Sequence, residues 1–294
     1  MTTYRFLNKL IILFVLFFGF VLTCHSQSQT ECRPQRSSLS AYFSNYRLSH
    51  PIIMAHRMSP IEGFAENSLV TLKYNMERYP CSIQEIDVRI TRDGIAILSH
   101  DDSIDRTTDG KGSINKLTFA ELQKFNLKDG KGNVLFGQHI PLLEDVLNII
   151  KGKSIAMLDM KPGTDPQIMM DIVKKTNTFD DIIVICYSIE DAKKMNEKYP
   201  ELMLALGFNS IEGIEKNKES GLPYTNLIAL VPGIIQAQSY YDSIRAMGIP
   251  ISFGAQNKVD KKDNAMEIYK ELYEAGITIL CTDSIVNAYK AFGL

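Results

Sequence analysis

Tryptophan is absent from the 294 residues, and cysteine is scarce: there are five, none in a Cys-x-x-Cys pair. That spacing excludes a disulfide-built scaffold and a cysteine zinc site. Cys186 and Cys281 lie in apolar, strand-like runs and read as buried free thiols, while an oxidising compartment would permit one bridge between Cys32 and Cys81. Neither sign of charge is in excess, since 32 Lys and Arg face 34 Asp and Glu for a net −2. Such a chain has no general field for polyanions, which excludes nonspecific nucleic-acid binding and requires any phosphate to be met by local groups. No apolar run is long enough to span a bilayer comfortably. The longest near the start, residues 10–22 (LIILFVLFFGFVL), has 13 residues behind Arg5 and Lys9, the proportions of a signal sequence.

Export is therefore expected, with the mature protein periplasmic, secreted or held at a membrane. Two processing routes fit residues 23–26: cleavage after Ser26, or lipid attachment at Cys24 in an imperfect lipoprotein box, Val21-Leu22-Thr23-Cys24. An uncleaved anchor helix is the competing reading. The chain divides into a leader (1–26), an N-terminal extension (27–49) and a domain (50–294). Its 45% hydrophobic and 22% charged residues, with 13 Tyr and 14 Phe, suit an ordinary globular core.

From residue 50 onward short β-branched runs alternate with helical patterns, the signature of parallel strands joined by crossover helices. Strands are expected at 51–55, 82–91, 154–160, 181–187, 202–207, 227–231, 249–253 and 278–281. Helices are expected at 68–78, 166–175, 190–198, 211–220, 236–247 and 262–275. Eight such units predict an α/β fold of the (β/α)8 TIM-barrel type, with functional residues at the carboxyl ends of the strands. One unit is irregular. After strand two comes a further short strand (GIAILSH), then a polar, Gly-rich stretch, so an insertion is expected at about 101–150. The stretch lacks the spacing of a phosphate-binding P-loop.

Reactive side chains collect at those strand ends. His56 and Arg57 follow strand one; Glu85 and Asp87 alternate on strand two and share a face; His100 ends the extra strand; Asp159 and Lys161 end strand three. Three carboxylates suit a hard divalent cation, the cations suit a phosphate, and two imidazoles suit a general acid and base. The competing structural reading is that Arg57, Arg89 or Lys161 neutralises the carboxylates. Asn67 or Ser68 reads as a helix cap, Asp283 as a cap for the last turn, and His25, His50 and His139 as surface or loop residues.

These motifs resemble the glycerophosphodiester phosphodiesterase family. The matching pieces are His56-Arg57, Glu66-Asn67-Ser68, Glu85-Ile86-Asp87-Val88 with Thr91-Arg92-Asp93-Gly94, Ser99-His100-Asp101, Arg106-Thr107-Thr108 with Gly110 and Gly112, and Asp159-Met160-Lys161. The resemblance implies a barrel of the phospholipase-C-like phosphodiesterase type. It also implies one calcium or magnesium ion on Glu85, Asp87 and Asp159, phosphate contacts from Arg57 and Lys161, and a proton-transfer pair in His56 and His100. The implied substrate is a small or lipid-derived phosphodiester, hydrolysed to an alcohol and glycerol phosphate. Against the family pattern, Met58 stands for a usual Gly, Ser68 for Thr and Asp159 for Glu. The strand at 251–254 lacks a Trp often found there. Asp at position 159 is shared by the spider-venom type sphingomyelin phosphodiesterases, so a lyase of that kind and a catalytically idle lipid-binding barrel are the alternatives.

Overall fold

The computed structural model describes residues 38–44, 50–256 and 258–294. The expected leader, Cys24, His25 and Cys32 lie outside the described residues. Cys81 is disulfide-bonded, whereas Cys186 and Cys281 are free and buried. Among the described residues no helix is long and apolar enough to cross a membrane.

The strands are β1 (Ile52–Ala55), β2 (Ile83–Ile90), β3 (Ala96–Leu98), β4 (Leu127–Lys128), β5 (Val134–Leu135), β6 (Ile155–Met160), β7 (Ile182–Cys186), β8 (Met203–Gly207), β9 (Leu227–Val231), β10 (Ile251–Gly254) and β11 (Ile279–Thr282). The helices are α1 (Leu39–Ser44), α2 (Leu69–Arg78), α3 (Phe119–Leu122), α4 (Leu143–Ile150), α5 (Pro166–Thr176), α6 (Ile189–Lys198), α7 (Ile211–Lys218), α8 (Gln238–Arg245), α9 (Ala265–Glu274) and α10 (Ile285–Phe292). Strands β1, β2 and β6 to β11 run parallel in the order β1-β11-β10-β9-β8-β7-β6-β2, and β1 pairs with β2 to close the ring. This is a (β/α)8 barrel.

Local chemistry sets the element ends. Ser68, Asp165, Ser188 and Ser210 each turn a side-chain oxygen onto an amide of the following first turn, capping α2, α5, α6 and α7, and Pro166 starts α5 where no amide is needed. Strand alternation then sorts the apolar residues into two layers. Ile52, Met54, Ile83, Ile155, Met157, Ile183 and Ile279 fill the barrel interior. Ile53, Ile86, Val88, Leu158 and Val184 face outward and pack with the helices. Part of the N-terminal extension joins this fold: Leu39 and Phe43 of α1 are buried in the interior layer, among the first residues of several strands, and close the barrel's base. Burying such side chains contributes about 1.5 to 3 kcal/mol each.

Between β2 and β6 the chain makes the expected excursion. Strand β3 lies antiparallel on β2, and β4 and β5 form a hairpin. Ile97, Ile104, Ile114, Leu122, Leu127 and Ile140 give this segment a small core of its own. Gly110 is required there, since a Cβ would sit 2.4 Å from the Phe125 ring. Helix α4 belongs with the barrel, because Leu143, Val146, Leu147 and Ile150 join the main core.

Candidate active site

The interior column on β2 runs Ile83, Glu85, Asp87, and that on β6 runs Ile155, Met157, Asp159. In the parallel register Asp87 pairs with Asp159. The same alternation that buries isoleucine at the base therefore aims three carboxylates into the mouth. Glu85, Asp87 and Asp159 each offer an oxygen, all within 4.8 Å of one another. Glu85 and Asp87 are buried. Burial pushes the Glu85 carboxyl well above the ordinary carboxylate range and the Asp87 charge adds to the shift, while a bond from the Arg57 amide to Oε2 (2.7 Å) opposes it.

Lys161 stands among these groups. Its ammonium is 2.7 Å from Asp87 Oδ1 and also ion-paired to Asp159, so here it binds the carboxylates rather than standing free for a phosphate. Burial works against its charge, yet the two aspartates outweigh this and raise its pKa. Its charge also acts on Glu85, though more weakly than burial and Asp87 do. Hard oxygens this close, one of them held against its own ionisation, fit a divalent cation such as calcium or magnesium. Arg89, the third cation considered, instead donates to the His100 carbonyl at 3.0 and 2.7 Å and fixes the backbone there.

Two partners of the cluster lie outside the expected set. Asn67, read from sequence as a cap, has φ 53° and turns its amide onto Asp87, donating to Oδ2 at 2.6 Å and accepting from the Asp87 amide at 3.1 Å. Ser68 alone caps α2. Tyr187, just past β7, donates from its hydroxyl to Asp159 Oδ1 at 2.6 Å; burial and this bond both push its phenol up.

Both histidines are held through Nδ1 by carboxylates. His56 donates to Asp283 Oδ1 at 2.6 Å, so Asp283 is no cap. The Asp283 loop is held in turn by Asp260, which accepts from the Asp283 amide (2.6 Å), the Thr282 hydroxyl (2.9 Å) and Tyr269 (2.6 Å). His100 donates to Asp101 Oδ1 at 2.8 Å. Arg106 clamps Asp101 at 2.7 and 3.0 Å and Glu66 at 2.8 Å twice; its bonds, ahead of that from His100, hold Asp101 well below the usual carboxylate range. Glu66 is also 3.5 Å from Arg57 Nη1, so a chain of charge runs from His100 to Arg57. Of the histidines left aside, His50 and His139 bond the backbone carbonyls of Pro51 and Phe125 through Nδ1.

Arg57 sits in a tight 3-10 turn (His56–Met58), and Arg57, Met58 and Ser59 all have positive φ, of 50°, 67° and 45°. Such conformations cost on the order of 1 to 3 kcal/mol each for residues other than glycine. Complete burial of Met58 and a 2.5 Å bond from Asn75 to its carbonyl hold the turn. Arg57 Nε is buried and has no hydrogen-bond partner among the described residues. It lies 3.9 Å from Asp87 Oδ2, a donor aimed into the cluster.

The sequence model of the glycerophosphoryl diester phosphodiesterase family matches residues 56–219, more than half of the chain. The chain belongs to this family. A glycerophosphodiester phosphodiesterase of Caldanaerobacter subterraneus subsp. tengcongensis is 31% identical over 153 residues, covering 49% of this chain and 62% of that protein. The alignment thus spans less than two thirds of that relative. The crystal structure of a glycerophosphoryl diester phosphodiesterase from Parabacteroides distasonis is 26% identical with a TM-score of 0.80, covering 86% of this chain and 90% of that one. An Oleispira antarctica phosphodiesterase, solved in complex with the product sn-glycerol-3-phosphate, shares the fold at 22% identity and a TM-score of 0.70, with 83% and 98% covered.

Proposed function

We propose that this family member is a metal-dependent phosphodiesterase that hydrolyses glycerophosphodiesters to an alcohol and glycerol phosphate, with His56 and His100 as the proton-transfer pair. The observation that carries the reading is the group of three carboxylates on β2 and β6 within 4.8 Å of one another, with His56 directly after β1 and His100 two residues past β3, each imidazole bound to a carboxylate through Nδ1. With Nδ1–H donated to a carboxylate, Nε2 is the nitrogen left to take or give a proton. The product complex of the Oleispira relative supports a glycerol phosphate product here.

Glu85, Asp87 and Asp159 would hold the cation, which when bound supplies charge to neutralise the phosphate and acidify the attacking hydroxyl. The protein's own groups do the rest. The free Arg57 Nε–H donates to a non-bridging oxygen. One histidine removes the proton of the attacking hydroxyl through Nε2, the bond from phosphorus to the alcohol oxygen breaks, and the other histidine protonates that oxygen. The attacker is water, or the glycerol hydroxyl next to the phosphate, in which case a cyclic phosphate forms and is opened by water in a second step. The Arg106 clamp on Asp101 favours this phosphodiesterase reading over the idle barrel, because nothing in packing alone calls for a charged chain leading to His100.

Turnover of a panel of glycerophosphodiesters, with product identified by phosphorus NMR, tests the proposal; release of glycerol phosphate is expected, and no release from any member would overturn it. We further propose that residues 1–26 direct export, leaving either a free Gln27 or a lipidated Cys24 terminus. Intact-mass analysis of protein from its native host decides between them, and an intact Met1 terminus in the processed pool would refute both.

A further inference from the structure

Across the ring from β2, strands β8, β9 and β10 lie side by side, and the loops that follow them, residues 208–210, 232–237 and 255–257, contain no Asp, Glu, Lys, Arg or His. Two glycines shape this half. Leu204, Leu206 and Phe208 on and after β8, and Ile251, Phe253 and Ala255 on and after β10, belong to the outer layer. Alternation therefore turns Gly207 with Asn209, and Gly254 with Gln256, to the inside. Each carboxamide folds back over the glycine two positions before it: a Cβ on Gly254 would sit 2.9 Å from Gln256 Oε1 and 3.0 Å from Nε2, and one on Gly207 2.8 Å from Asn209 Nδ2. Neither glycine has a positive φ, so room for the amide is what each supplies. Gln256 Oε1 is buried and has no hydrogen-bond partner among the described residues. Five buried side-chain atoms share that state, and two of them stand just past barrel strands, Arg57 Nε after β1 and Gln256 Oε1 after β10. The first is a donor and suits an anion; the second is an acceptor and calls for a donor.

We infer that Gln256 and Asn209 form a subsite for a neutral polyol group of the phosphodiester, Gln256 Oε1 accepting from one hydroxyl and the Asn209 amide meeting a neighbouring one. The inference rests on the reading above, since the phosphate at the carboxylate cluster is what brings the polyol to β8 and β10. A hydroxyl fits where a cationic group does not: these loops hold no carboxylate to balance a charge, and a carboxamide offers both an acceptor and a donor. Residues 251–254 carry no Trp to cover the amide. A site built to bond a hydroxyl rejects the analogue that lacks it, because its own polar group is then left unmet. Gln256 thus sets which diesters are served without touching the reacting atoms.

The test uses the full chain, with calcium or magnesium present, and two phosphate monoesters of equal carbon length, glycerol 3-phosphate and propyl phosphate, titrated calorimetrically. Wild type should bind glycerol phosphate at least about tenfold tighter, the scale of one buried acceptor met or left unmet. In Gln256→Leu the preference should fall below about threefold through loss for glycerol phosphate alone, with propyl phosphate bound no more weakly and thermal stability held or raised. Asn209→Ala should lower the preference by about two- to tenfold. Equal affinities in wild type, a preference kept in Gln256→Leu, or no binding of glycerol phosphate would overturn the subsite. Kinetics assign its occupant. A weakened kcat/KM for both glycerophosphoglycerol and glycerophosphocholine in Gln256→Leu puts the glycerol of the retained phosphate ester there, and weakening confined to the first puts the released alcohol there. Diesters cleaved with no monoester preference remove the subsite alone, whereas a Gln256-dependent preference with no diester cleaved removes the proposed activity and leaves a polyol phosphate site.

Discussion

His56 and Asp283 stand 227 residues apart in the chain and are joined by a 2.6 Å hydrogen bond between Nδ1 and Oδ1. The closure of the ring makes this possible, because β1 and β11 are hydrogen-bonded neighbours whose ends reach the mouth together. In the neutral imidazole the bond selects the tautomer with the proton on Nδ1, which leaves Nε2 as the acceptor. Asp283→Asn replaces an acceptor by a group that can also donate, and should lower kcat by about 100-fold or more, the scale of one acid or base role. The pH–rate profile should shift with it while thermal stability holds. An unchanged profile would contradict the role.

Replacing the histidines themselves tests the pair. His56→Ala and His100→Ala should each lower turnover by about 100- to 10,000-fold, with circular dichroism and melting behaviour retained. Near-normal turnover by both would remove them from the mechanism.

The eight strands and the gathering of Glu85, Asp87 and Asp159 were legible because both follow from period-two alternation and strand order. Asp283, Asn67 and Tyr187 were not. Each acts on a residue on or directly after another strand that lies 20 or more positions away in the chain, and each has a plausible local role, a cap or an exposed aromatic, that sequence reasoning reaches first. A carboxylate directly after the last strand of a closed barrel whose first strand ends in histidine was the one available signal. The position of Lys161 on the aspartates was open to sequence only as one of three possible pairings, since spacing alone does not rank Arg57, Arg89 and Lys161.

Glu85 provides a pH prediction. Its carboxyl is held well above the ordinary range by burial and by Asp87, so the protonated form is the one the metal-free fold favours. That contribution is complete at pH values below the ordinary glutamate range and is lost as pH rises through the raised value. In chelator, wild-type protein should therefore melt lower at pH 8 than at pH 5 relative to Glu85→Gln, which keeps the Arg57 amide bond and lacks the charge. The difference should be about 2 to 4 °C for each kcal/mol. Calcium or magnesium at pH 8 should restore wild type and leave Glu85→Gln almost unmoved. Parallel pH curves for the two proteins would contradict the assignment.

Tyr187→Phe removes the hydroxyl that orients Asp159 and keeps the ring. Loss of a group that holds a ligand carboxylate costs about 10- to 100-fold in metal affinity. Calorimetric titration with the metal should show a weakening of at least about tenfold. Unchanged affinity would leave Tyr187 with no part in the site.

The most direct measurement is glycerophosphodiester turnover in excess chelator, followed by re-addition of calcium or magnesium, in wild type and in Asp87→Asn. Activity should vanish in chelator, return with one of the two ions, and fail to return in the variant, whose metal affinity should fall in parallel. Full wild-type activity in excess chelator, with no bound metal by elemental analysis, would contradict the account and leave Lys161 as the permanent counter-charge of Asp87 and Asp159.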